Sequence, residues 1–278
     1  MAIEDRIKTD SQNVIAFCRR FDAYEYGGLL QGVKLTPTTV NDRRVTVIFD
    51  KANLSFVQFQ ELLAQFDAPC SNCSPDVAAF ETQYAQASFV TFAIEEEDDE
   101  VRYAIQMYRI PSAGEILTAQ GASPYRVANA TVKTMWKFGT CQSNDLKVFS
   151  YSLFAPPILD TSYFLAEIVN FGTEVIPRML YNLWLTRQPA MARAGKAFIL
   201  YGNLATAPIK EYDLRVYGSG AVIGDVTSDI YDFTTAPLPE VLQKYDGLAM
   251  ANFLGGYDGE DLPYMAMNFV LYDSTAAL

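Results

Sequence analysis

Histidine is absent from all 278 residues, and that absence excludes more chemistry than any motif supplies. Without imidazole there is no Ser-His-Asp or Cys-His nucleophile, no His-ligated zinc and no ordinary general base near neutral pH. Carboxylate, lysine, tyrosine and metal–oxygen chemistry survive. Basic residues are scarce as well: 21 Lys and Arg stand against 33 Asp and Glu, a formal charge of −12. Such a surface repels phosphate backbones and anionic lipid, so neither tight nucleic-acid binding nor membrane adhesion is expected. No basic arm lies at either end, which argues against packaging nucleic acid with a tail.

Cysteine is limited to Cys18, Cys70, Cys73 and Cys141. The opening ten residues are polar and charged rather than an apolar leader, so free thiols in a reducing compartment are expected. Long apolar runs are missing too. The longest block, 162–185, is interrupted by Glu167, Asn170, Glu174, Pro177 and Arg178, and reads as no membrane span.

Aromatic residues, by contrast, are abundant, with 18 Phe, 17 Tyr and 2 Trp. They favour a β-rich body and suit broad contact surfaces. The stretch 88–110 organises the rest: SFVTFAI, six consecutive acids, then VRYAIQMYRI. Val101, Tyr103, Ile105 and Met107 alternate with Arg102, Ala104 and Gln106, the period of a half-buried strand. The spacing predicts a long antiparallel hairpin. Six like charges resist joint burial, so Glu95, Glu96, Glu97, Asp98, Asp99 and Glu100 are expected at a solvated tip. A second reading sets those acids on the inner wall of a channel through which an anionic polymer passes.

Around this hairpin the chain reads as mixed helix and sheet. Ser11 caps a helix carrying Ile15, Phe17, Cys18 and Phe21, stopped by Gly27 and Gly28. Arg43–Asp50 is strand-like. Ser55 and Gln58 fit a capping box that opens a helix with Phe59, Leu62, Leu63 and Phe66 on one face. Val77–Ala87 fits a short helix. In 128–138 alternation is clean, with Trp136 expected toward a core and Lys133 and Lys137 away from it; Lys147–Phe154 is its expected partner. Beyond Ala155-Pro-Pro-Ile, Asp160 is placed to cap a helix, and 178–185 is ambiguous between helix and buried strand. Lys196–Tyr201, Tyr212–Tyr217 and Tyr264–Tyr272 read as strands, and Gly220–Val226 as a returning one. Leu238–Leu254 reads as a helix interrupted near Gly247. The fold class is therefore α+β, mostly antiparallel sheet with several short helices. It is divided into an α+β segment 1–155 and a β-rich lobe 156–278, or runs on as one domain.

No motif carries a reaction. Cys70-x-x-Cys73 lies between prolines, lacks a second pair, and reads as a plain loop rather than a metal or redox site. Gly218 to Gly224 follows a strand as a phosphate-binding turn would, but Asp225, Thr227, Ser228 and Asp229 leave no room for the required helix. Asp258, Glu260 and Asp261 are the carboxylates to consider for glycosidase-like catalysis, although their separation in space is not readable from sequence. No catalytic, cofactor-binding or metal residue is therefore assigned. The composition points instead to a non-enzymatic structural protein that self-assembles, a capsid or tail component of a bacteriophage or other virus. Its partners would be copies of itself and other particle proteins, and its place the virion, assembled in a host cytoplasm. Phe89, Phe92, Tyr103 and Ile105 would then seal a subunit boundary. The alternative is a carboxylate-dependent enzyme or a small-ligand-binding protein.

Overall fold

The computed structural model describes residues 2–66, 77–98, 100–108, 133–139, 145–149, 151–154, 175–193, 199–203, 211–257 and 262–274. Eleven strands form one antiparallel sheet, and the protein is α+β as its sequence pattern indicates. The strands are β1 (Gly28–Leu35), β2 (Val40–Asp50), β3 (Phe89–Glu97), β4 (Glu100–Tyr108), β5 (Lys133–Gly139), β6 (Asp145–Phe149), β7 (Tyr151–Phe154), β8 (Ile199–Asn203), β9 (Glu211–Arg215), β10 (Met250–Tyr257) and β11 (Pro263–Asp273). Their order in the sheet is β6-β5-β4-β3-β2-β1-β11-β10-β9-β8-β7. Two meanders are thus joined where β1 pairs with β11, with Gly28 opposite Asp273. The two segments considered as lobes contribute to one sheet, and the boundary considered at Ala155 lies outside the described residues.

This sheet closes on itself. Its two edge strands, β6 and β7, are separated in the chain by Ser150 alone, so Phe149 and Tyr151 lie no more than about 7.6 Å apart. One stretch therefore gives its first half to β5 and its second half to β8. A side-chain contact gives the same answer. β4 and β9 are six strand steps apart, which in a flat sheet is roughly 29 Å. Yet the Arg215 guanidinium lies 3.3 Å from the Tyr108 hydroxyl. Only a barrel brings those strands face to face across its interior.

Helices jacket the outside. α1 (Gln12–Arg19) is capped by Ser11, whose side chain accepts from the Val14 amide. α2 (Phe56–Ala64) opens with the Ser55–Gln58 capping box in both directions. With α3 (Val77–Gln86) they cover β1 to β4, burying Phe17, Phe21, Phe59, Leu62 and Tyr84 against Val47, Phe49, Phe92 and Ile105. The second jacket comprises α4 (Val175–Arg193), α5 (Thr227–Phe233) and α6 (Pro239–Tyr245). It covers the outer faces of β9, β10 and β11, through Ile176, Leu180, Ile230 and Tyr245 on Leu214, Phe253, Met267 and Phe269. None of the helices among the described residues is long and apolar enough to cross a membrane.

Cys18 sits inside the first jacket. Burial, and secondarily the charge of Asp22, pushes its thiol from the ordinary 9.0 up to about 12. The folded state therefore resists ionisation that the unfolded chain permits, and this contribution to stability is intact below pH 9 and lost as pH rises toward 12. Thermal melts across that window should fall less steeply for Cys18→Ala than for the wild type. An equal slope would show that Cys18 ionisation is not linked to unfolding.

The predicted hairpin is present as β3 and β4, paired from Phe89–Tyr108 to Glu97–Glu100, with Asp98 at φ 51° in the turn. Other expectations need correction. Gly28 does not merely end a helix; it begins β1, which sequence reading did not find. The returning strand expected at 220–226 is a pair of glycine turns followed by a short 3-10 helix, Ile223–Asp225, and α5 begins at Thr227. Thr227, Ser228 and Asp229, read as leaving no room for a helix, form its first turn. The helix expected over 238–254 ends at Tyr245 and is followed by β10, because Gly247 at φ 71° turns the chain back into the sheet. The ambiguous stretch 178–185 is helical, within α4. β5 pairs Trp136 with Ile105 and Lys133 with Tyr108, and its side chains lie outside the described residues.

Candidate functional site in the barrel lumen

Alternation assigns one face of β1 to β4 and of β9 to β11 to the jackets and the other to the lumen. Along β3, Val90, Phe92, Ile94 and Glu96 point out, while Phe89, Thr91, Ala93, Glu95 and Glu97 point in. Matching inward positions are Arg44, Thr46 and Ile48 on β2 and Arg102, Ala104, Gln106 and Tyr108 on β4. They continue as Leu30, Gly32 and Lys34 on β1, Asn268 and Val270 on β11, Asn252 on β10, and Asp213 and Arg215 on β9. Ala93, Ala104 and Thr46 lie mid-strand under neither jacket, yet none is fully buried. Small side chains there leave space inside the ring.

At one mouth the lumen is lined by charge. Lys34 Nζ stands 3.6 Å from Glu95 and 3.8 Å from Glu97, and Arg44 Nε stands 3.6 Å from Glu95. Arg102 reaches Glu97 at 3.3 Å and Glu100 at 2.8 Å. The hydrogen bond to Glu100 holds the Arg102 pKa above its usual value despite burial, with the charges of Glu97 and Glu95 adding to it. The contacts of Lys34 and Arg44 are too long for direct hydrogen bonds. Two donors are moreover buried without any acceptor, Nη1 of Arg44 and Nε of Arg102. A buried guanidinium N–H left so is costly unless something else accepts from it.

Halfway down, a polar array crosses the wall. Asn268 Nδ2 donates to Asn252 Oδ1 at 3.0 Å, and Asn252 Nδ2 donates to Asp213 Oδ1 at 2.8 Å. Arg215 Nη2 holds the other Asp213 oxygen at 3.0 Å and also donates to the Tyr108 hydroxyl, with the guanidinium 5.3 Å from the Tyr108 ring centre. Tyr108 in turn donates to Gln106. Gly32 makes room for this array, since any Cβ there would overlap the Asn268 carboxamide. At the far end the lumen is apolar: Leu30, Ile48 and Ala251 pack with Phe89, Tyr217 and Val270.

The hairpin acids are therefore not one solvated tip. Glu95 and Glu97 line the lumen mouth. Glu96 points outward, is buried, accepts from Ser11 Oγ, and pairs with Arg43 at 2.9 Å. Asp98 and Glu100 are exposed, and Asp99 lies outside the described residues. The pleat separates neighbouring acids onto opposite faces, and each covered acid meets a cation, which is what permits its burial.

Phe92 and Ile105, expected at a subunit boundary, are buried under this chain's own first jacket. Tyr103 is half-buried beside Phe17 and Phe66. Phe89 faces the lumen floor. Cys70, Cys73, Cys141, Asp258, Glu260 and Asp261 lie outside the described residues. Among the described residues no three metal-ligating side chains converge.

Sequence reasoning missed Lys34, Arg44, Arg102, Asp213, Arg215, Asn252 and Asn268. A signal existed for the last two: each is a single Asn within an apolar strand, MANFLGGY and YMAMNFVLY.

A closed antiparallel barrel with a helical jacket is a fold that this chain shares with a solved structure of NotF. The chain aligns over 89% of its length, and over 81% of the other chain, with NotF in complex with brevianamide F and DMSPP, at 10% identity and a TM-score of 0.53. A second NotF prenyltransferase structure gives 0.47 at 10% identity over 87% and 80%, and AnaPT from Neosartorya fischeri 0.47 at 8% over 90% and 80%. No family model matches the sequence, and no curated protein matches it significantly. The fold shared with the NotF complex overturns the expectation of a self-assembling capsid or tail component. Composition misled because abundant tyrosine and an acidic exterior are equally what a jacketed barrel carries.

Proposed function

We propose that the protein is a prenyltransferase that works inside the barrel lumen, taking its prenyl group from an allylic diphosphate. The observation that supports this most directly is the pair of buried, acceptor-less guanidinium donors on Arg44 and Arg102 beside Lys34. Phosphate oxygens fit such donors, because charge-assisted and bidentate bonds satisfy several N–H groups at once. NotF, whose structure contains DMSPP, has this fold.

The chemistry asked of the lumen is limited. As the allylic C–O bond breaks, its electron pair leaves with the diphosphate, and the cations at the mouth neutralise that developing charge. The allylic cation left behind is attacked by an electron-rich acceptor, which then gives up a proton. Tyr264, whose ring lies 5.6 Å from Lys34 Nζ, presents a π face at the mouth as Tyr108 does deeper in. Glu95, between Lys34 and Arg44, is the carboxylate placed to take the proton. No histidine is required at any step.

Titration calorimetry with inorganic diphosphate tests the reading. Arg44→Met should weaken binding about tenfold to a hundredfold, the worth of one or two charge-assisted hydrogen bonds. A wild-type protein that neither binds inorganic diphosphate nor releases it from an allylic diphosphate with an aromatic acceptor would overturn the assignment.

A further inference from the structure

The contact between Arg215 and Tyr108 is the one place described above where opposite walls of the lumen touch through polar side chains. It is placed at the edge of the apolar floor on both walls. Tyr108 stands directly opposite Phe89 in the β3–β4 ladder, and Arg215 is two residues before Tyr217. Phe89 and Tyr217 both belong to the floor cluster. Above the contact the inward positions of β3 and β4 are Thr91 and Gln106, then Ala93 and Ala104, whose small side chains leave room.

Arg215 is not free to swing. Nη2 is held by Asp213, and the Asp213 side chain is only 2% exposed. Its other oxygen accepts from Asn252, which accepts from Asn268, which fits only because residue 32 has no side chain. Four strands thus contribute to aiming one guanidinium across the ring. Each of these bonds runs donor to acceptor without conflict, which fixes the direction in which Nη2 points.

We propose that Arg215 and Tyr108 form a crossbar over the apolar floor that sets how far a substrate's hydrocarbon tail can enter. Asp213 is its positioning residue. The proposal rests on substrate binding in the lumen and deepens the prenyltransferase reading by assigning the determinant of prenyl chain length. A short allylic group lies above the bar, between the cationic mouth and the Tyr108 ring. A longer one must displace the bar to reach the rings of Phe89 and Tyr217.

The test uses the full chain and a series of n-alkyl monophosphates, from butyl to dodecyl, with inorganic diphosphate measured alongside by calorimetry. In the wild type, affinity should rise about fourfold per methylene and then stop rising once the tail meets the bar. Tyr108→Ala removes the far end of the bar without touching the buried Asp213–Arg215 pair. It should move the stopping point outward by two methylenes or more. Asp213→Asn keeps the shape of the side chain but loosens Arg215, and should move it likewise; Tyr231→Ala, exposed on α5, should not. A merely structural Asp213 would lower the melting temperature and leave the stopping point where it was.

If Asp213→Asn does not fold, Tyr108→Ala decides alone. An unchanged stopping point in the folded variants, or a wild-type series with no stopping point, overturns the crossbar. Loss of diphosphate binding alone, with the stopping point intact, overturns the prenyltransferase reading and leaves the crossbar standing. If no phosphate of any kind binds, both are wrong.

Discussion

Phe92→Ala should cost about 3–5 kcal/mol of folding stability, the range for truncating a fully buried phenylalanine. Phe92 is wholly buried, and its ring centre lies 5.4 Å from Phe21, 5.6 Å from Phe66, 5.9 Å from Phe49 and 6.0 Å from Phe59. Those four rings come from α1 or its C-terminal flank, α2 or its C-terminal flank, and β2, so the truncation opens a cavity where three elements meet. Relaxation cannot fill it, because each neighbour is also fixed against the sheet. Aromatic geometry adds to the loss, since offset and edge-on pairs contribute about 0.5–1.5 kcal/mol beyond area. Denaturant titration with an unchanged m-value would confirm a pure stability effect. A loss below about 1 kcal/mol would show that the first jacket is not packed on the barrel as described.

The second large effect is expected on the opposite side. Gly255 lies on the outer face of β10, and a Cβ built there would overlap Cγ2 of Ile176, near the start of α4. Gly255→Val should therefore push α4 off the barrel and cost about 3 kcal/mol, the upper end for overpacking. Combined with Ile176→Ala, which alone costs about 2–5 kcal/mol, it should cost less than the sum of the two single changes. The double mutant cycle should thus show a favourable coupling of about 1 kcal/mol or more. Strict additivity would mean that Gly255 is there for its backbone and not for the close approach of α4.

The local elements were legible where side chains act on their own neighbourhood. Ser11 and the Ser55–Gln58 box announced two helices because a cap needs only residues a few positions away. The alternation of Val101 to Met107 announced β4 for the same reason. What escaped depended on distant segments. Gly28 read as a helix stop, yet β1 begins there and runs on through Gly32, where its partner β11 brings Asn268 against the missing side chain. Gly255 and Gly256 masked β10 likewise. The lumen was less legible still: Lys34, Arg44, Glu95 and Arg102 are scattered over nearly seventy residues, and their convergence follows from register and closure rather than from spacing. Six consecutive acids looked like a single charged object, and the pleat divides them between two surfaces.

The pairing of β1 with β11 has a consequence for how the chain is made. Gly28 finds Asp273 only when nearly everything between them has been synthesised. The strands β1 to β4 can form early with their own jacket, since α1 precedes them and α2 and α3 lie between β2 and β3 in the chain. Until the last strand arrives, however, β1 carries a bare edge of unpaired amides and carbonyls while emerging from the ribosome. Contacts this far apart in sequence form slowly, and a waiting edge is a template for the wrong neighbour. Once the ring is closed that hazard disappears, because a barrel has no edge to offer.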